Sequence, residues 1–175
     1  MATREILVQR FSTISSRTFR DVVAALESVL GHPDIAAFTS QMGSAKSFAE
    51  LENVVENALG PSGFMEFARF DLGAVVRKRS GAQTPNILRL VLGNPVIMSQ
   101  MARYVPDAGS YAPVTILIDE RPDGVHLSYD RMASLLAPYA NLDALSVARE
   151  LDARVEALLT HVATSQTTTP LGKTA

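Results

Sequence analysis

The spacing of apolar residues along this chain changes period several times, and the sharpest change falls between Asn86 and Asp119. Ile87 to Leu92 is apolar except for Arg89 and is closed by Gly93, which is the length and composition of a covered strand. Asn94-Pro95 then switches the pattern to helix. Asparagine accepts the free amide hydrogens of a first helical turn, and proline lacks a donor where none is needed. The residue before a proline is also held in the extended region that an N-cap uses, so Gly93-Asn94-Pro95 spells a strand-to-helix hinge. Ile97, Met98, Met101 and Ala102 recur at helical spacing until Pro106 stops them, and Asp107 to Ala112 reads as loop. After Pro113 the period becomes two: Val114, Ile116 and Ile118 share one face of a strand, and Thr115, Leu117 and Asp119 share the other.

The flanking regions extend this frame. Glu5 to Ser12 alternates weakly and predicts an opening strand. A helix starting at Ser15 or Ser16 carries Phe19, Val22, Val23, Leu26, Val29 and Leu30 on one stripe, with Gly31 placed as its left-handed C-cap. His32 to Ser44 lacks periodicity and predicts a crossing loop. Ser47 with Glu50 forms a capping box for a second amphipathic helix that ends at Gly60-Pro61. Gly63 to Phe70 reads as a strand, and Asp71 caps a short helix whose basic end, Arg77-Lys78-Arg79, meets the negative helix terminus. Asp123-Gly124 signals a hairpin into a returning strand, Val125 to Tyr129, before helical spacing resumes at Met132, breaks near Pro138 and continues to Val162. These elements predict a single α+β domain over residues 1–163: a mixed or antiparallel sheet with helices packed on one face, plus an extra helix near residues 47–59. Residues 164–175 are threonine-rich without an apolar period and are expected to be a disordered tail.

Composition narrows the chemistry. A chain of 175 residues can bury roughly 70% of its unfolded surface, so its core needs no staple. Cysteine is absent, which removes disulfides, thiolate nucleophiles and cysteine-bound metal. Three histidines lie far apart in sequence, so no transition metal or other cofactor is expected. The net charge of -2 argues against a nucleic-acid-binding face. No run of about 18 apolar residues occurs, so no membrane partner is expected, and the cytoplasm is the expected location.

With Gly93-Asn94-Pro95 followed by a methionine-containing helix, Pro113 at the next strand and the Val125 to Tyr129 return strand, the chain resembles the bacterial and archaeal family called domain of unknown function 302. The resemblance spans roughly residues 63 to 136. It departs from the family at Leu72, where histidine usually follows the aspartate, and at Met98-Ser99, where a Gly-Thr pair is frequent. It implies a β-α-β-sheet-α fold similar to the TATA-binding-protein-like class, often dimeric, with no settled activity.

The candidate site residues are Asp71, Gly93, Asn94, Met98, Tyr111 and Tyr129. A helix N-terminus at Asn94 offers amide hydrogens to an anion, although capping alone explains the same three residue types. Methionines and tyrosines gathered in the second half suit a pocket for an apolar or aromatic ligand, or a core. The expected function is therefore a non-enzymatic homodimeric module that binds a small apolar or anionic ligand. The helix over Ser47 to Leu59, more than a five-stranded sheet needs on one face, is the sequence argument for the dimer. The alternative is an enzyme in which Asp119 or Asp130 orients His126 for acid-base chemistry.

Overall fold

The computed structural model describes residues 3–80 and 84–164; the expected tail, apart from Thr164, lies outside them. Five strands, β1 (Arg10–Ser15), β2 (Met65–Asp71), β3 (Ile87–Gly93), β4 (Val114–Arg121) and β5 (Gly124–Asp130), form one sheet in the order β1-β5-β4-β3-β2. Every pairing is antiparallel, so the mixed alternative falls away. Between the strands run α1 (Phe19–Glu27), α2 (Ile35–Ser44), α3 (Phe48–Ala58), α4 (Leu72–Ser80) and α5 (Pro95–Ala102), and after them α6 (Met132–Leu136) and α7 (Leu142–Thr164).

Strand parity decides where the core lies. Val114, Ile116 and Ile118 are buried with Leu88, Leu90, Leu92, Val125, Leu127 and Tyr129 on one face of the sheet, beneath α1, α5 and α7. The other face carries Ile14, Leu117, Val91 and Phe70 across four strands, and none of them is buried. A smaller apolar cluster, Phe38, Val55 and Met65, is built where α2 and α3 pack together beside β2.

Three sequence expectations are corrected. The opening strand begins at Arg10 rather than Glu5, because its register is set by pairing with β5, where Arg10 lies opposite Asp130 and forms an ion pair with it. The region expected to be a loop contains α2, ten residues long, whose N-cap Asp34 accepts a hydrogen bond from the Ala37 amide. Its apolar residues, Phe38 and Met42, meet α3 and Phe67 rather than the main core, which is why no long stripe marked it. Gly31 is no left-handed cap: α1 ends on Ser28 in the right-handed region, and Gly31 instead bridges Met65 in parallel.

Candidate functional site

The hinge forms as read. The Asn94 side-chain oxygen accepts hydrogen bonds from the amides of Val96 (2.9 Å) and Ile97 (3.4 Å), and Pro95 occupies the first turn of α5. Its amide nitrogen has a second task, donating to the Gly63 carbonyl at 3.2 Å and so tying α5 to the turn before β2. Loss of the cap in Asn94→Ala is expected to cost about 1 kcal/mol. Sequence alone makes Asn94→Asp harmless, but aspartate has no donor for Gly63 and places a carboxylate beside its carbonyl. Asn94→Asp is therefore expected to fall between wild type and Asn94→Ala, roughly 0.5–1 kcal/mol below wild type. Denaturant midpoints check this, and a midpoint equal to wild type would show that the Gly63 bond contributes nothing.

Beside this hinge lies a cavity of about 180 Å³. Met101, Val114, Leu151 and Gly93 form its buried floor, while Met42, Phe67, Pro95, Ile97 and Met98 surround it at intermediate exposure. Asn94 is the single polar side chain in the wall, and both ends of its amide are already bonded within the protein. Gly93 keeps the wall thin: a Cβ there would sit 3.2 Å from the Pro113 ring and 3.6 Å from the Phe67 ring.

The six residues expected to form a site divide among three places. Gly93, Asn94 and Met98 come together in this cavity. Tyr111 and Tyr129 line a second one, of about 230 Å³, with Arg10, Thr115, Leu117, Ser128, Asp130 and Leu135. Its charges are paired with each other, Arg10 meeting Asp130 at 2.6 Å and holding that carboxyl below its usual range. The Tyr111 hydroxyl bonds to that of Tyr139 at 3.0 Å, and this contact with burial raises its pKa to about 12. Tyr129 donates to Asp152 at 2.7 Å. Asp71 stands apart from both cavities, capping α4 through the Ala74 amide (2.8 Å) and pairing with Arg77 (3.2 Å). Sequence reasoning missed Met42, Phe67 and Leu151 as lining residues; they reach the cavity from α2, β2 and α7, and no local spacing links them.

His126 does not meet the carboxylates expected for it. Its Nε2 lies 2.8 Å from Asp123, lowering that carboxyl's pKa, while Asp119 binds Arg121 at 2.6 Å and Asp130 binds Arg10. Strand parity does put Asp119 opposite His126, but the nearby guanidinium of Arg121 satisfies it. His126 lines neither cavity. Among the described residues no cluster of three or more His, Asp or Glu side chains could hold a metal, and no helix is long and apolar enough to cross a membrane.

A five-stranded antiparallel sheet carrying its helices on one face, with a hinge-side apolar cavity, is an α+β architecture. The model of the family described as domain of unknown function DUF302 matches residues 38–162, so the chain belongs to that family. The match reaches well beyond the stretch that carries the resemblance, taking in most of α2, all of α3 and most of α7. Among solved structures, the uncharacterized conserved protein DUF302 from Bacillus stearothermophilus is similar over 87% of this chain and 97% of its own, with a TM-score of 0.61 and 11% identity, a likeness of fold. No curated protein matches.

Proposed function

We propose that the protein is a binding module for a small uncharged apolar ligand, held in the cavity between the Asn94 hinge, β2, α2 and α7. The observation that carries this reading is a wall of methionine, proline, phenylalanine and aliphatic side chains whose single polar side chain is already hydrogen-bonded within the protein through both ends of its amide. An apolar cavity of about 150 Å³ is enough to hold a benzene-sized molecule, so a volume near 180 Å³ suits a ligand of that order. The anionic alternative is weaker, because an anion at the α5 N-terminus would have to displace the Asn94 side chain from the very amides it needs. The second cavity is slightly larger, but an internal ion pair and a hydroxyl pair already occupy its polar wall. Native mass spectrometry of the protein purified from cells is expected to show a neutral adduct of low mass that organic extraction removes. An adduct that survives in a variant with the cavity filled, Ala112→Leu, would place the ligand elsewhere.

The same reading includes a homodimer, now supported by the sheet rather than by α3. Helix α3 uses its stripe within its own chain, burying Val55 against Phe38 and Met65. The sheet face opposite the core leaves Ile14 50% and Phe70 48% exposed. Five strands about 4.8 Å apart and six residues long give roughly 500 Å² per copy, so about 1,000 Å² in all, the lower limit for a specific dimer. Light scattering at micromolar concentration is expected to give twice the chain mass, and Leu117→Arg half of that. A wild-type monomer would reject the dimer.

A further inference from the structure

Three of the six methionines in the chain, Met42, Met98 and Met101, line the same cavity, on α2 and α5, together with the ring of Phe67. We infer that the ligand is an aromatic molecule, a single uncharged ring with small apolar substituents, recognised by these thioethers and by Phe67. The inference rests on the cavity being the binding site and adds the ligand's chemical class. An aliphatic wall does not distinguish an aromatic ring from a saturated one of equal size, because both gain the same burial of apolar area. A thioether does distinguish them, since its polarizable sulfur is attracted to the electropositive edge of a π-system and finds no such partner on a saturated ring.

Two features make the wall specific rather than merely soft. Phe67 is held by an edge contact with Phe38, ring centres 6.3 Å apart at 70°, so the aromatic wall is fixed before any ligand arrives. Met101 is fully buried and Met98 lies one helical turn before it on α5, while Met42 approaches from α2; sulfur is thus presented by two separate elements. Phenolates, carboxylates and amines are disfavoured, because the one polar side chain in the wall already spends its oxygen and one of its two N–H donors within the protein, which leaves too little to offset the loss of their hydration.

The test compares toluene with methylcyclohexane, nearly equal in size and differing in the π-system, by calorimetric titration of the full chain. Toluene is expected to bind about tenfold more tightly. In Met42→Leu/Met98→Leu, a volume-conserving change, that preference is expected to fall to about twofold while methylcyclohexane affinity stays the same. Met101 is left unchanged because it belongs to the main core, and circular dichroism verifies that the double variant is folded. Equal affinity for the two rings in the wild type would overturn the aromatic inference while leaving the cavity reading in place. A preference that persists undiminished in the double variant would also overturn it. Binding of neither ring would overturn the cavity reading itself. The chain contains no tryptophan, so indole serves as a third probe whose own fluorescence reports entry into an apolar site without background.

Discussion

Asp152→Ala is expected to destabilise the protein by about 3–4 kcal/mol. The carboxylate is 6% exposed and accepts three hydrogen bonds, from the Tyr129 hydroxyl (2.7 Å), the Met132 amide (2.7 Å) and the Ala133 amide (3.1 Å). It thereby caps α6 from α7, a distance of about 20 residues in sequence, because the N-cap residue of α6, Arg131, has no side chain suited to the task. Removing the acceptor strands the buried Tyr129 hydroxyl and the half-buried Ala133 amide and leaves the Met132 amide only its longer bond to the Tyr129 oxygen (3.2 Å), at a desolvation cost of about 1–3 kcal/mol for each stranded donor, reduced where water enters the space. Tyr129→Phe removes one donor and keeps the acceptor for the others, so it is expected to cost only about 1 kcal/mol. Asp152→Asn lies between them, since one end of its amide turns a donor toward the Ala133 N–H.

Burial also raises the pKa of Asp152 above its ordinary value of 3.8. The sign of the consequence follows from proton counting. Between the unfolded value and the raised folded value the native state holds more protons than the unfolded chain, so the contribution of Asp152 to stability falls as pH rises through that window. The stability difference between wild type and Asp152→Asn is therefore expected to widen on acidification toward pH 4. Chemical denaturation at several pH values reads it, and a difference that narrows instead would show the carboxylate to be held ionised by its three donors.

Local chemistry was legible wherever a residue's neighbours in sequence determine its task. Asn94 and Asp71 act as the caps their neighbours predict, and the hairpin signalled by Asp123-Gly124 forms, its two turn residues being Pro122 and Asp123, with Gly124 opening β5 opposite Arg121 at φ 138°. The period-two faces put Val114, Ile116 and Ile118 of β4 and Val125, Leu127 and Tyr129 of β5 in the core as predicted, but His126 and Ser128 on the other face of β5 are buried as well. Side-chain partners distant in sequence were not legible. Nothing near Tyr129 in the chain announces its bond to Asp152, and parity places Asp119 opposite His126 without revealing that Arg121 binds Asp119. The cavity was half legible for the same reason. Gly93, Asn94 and Met98 are contiguous with the hinge, whereas Met42 stands on a helix whose apolar face is too short to give a period.

Gly31→Ala is expected to be the most damaging single methyl in the chain. A Cβ at Gly31 would lie 1.9 Å from the Ala58 carbonyl oxygen and 2.8 Å from the Gly60 amide nitrogen, and one at Gly60 would lie 2.3 Å from the Leu30 carbonyl carbon. These are backbone atoms, so no rotamer change relieves the overlap. Here the segment leaving α1 crosses the segment leaving α3, and both are fastened to the start of β2: the Gly31 and Gly60 amides donate to the Phe64 carbonyl, and the Glu66 amide donates to the Gly31 carbonyl. Forcing the strands apart breaks those bonds and lifts the α2–α3 pair away from Met65 and Phe67, which takes Met42 off the cavity wall. The expected cost is at least about 3 kcal/mol, the upper end of what overpacking does where side chains can yield. Gly60→Ala should match it, and the double variant should cost little more than either single change, because one separation of the two segments relieves both overlaps. By contrast, Gly43→Ala, on the exposed side of α2 with nothing within 4 Å of the added carbon, should stabilise slightly by favouring helix. Urea denaturation of the four variants checks the ordering, and additive costs for Gly31→Ala and Gly60→Ala would show that the crossing yields independently on its two sides.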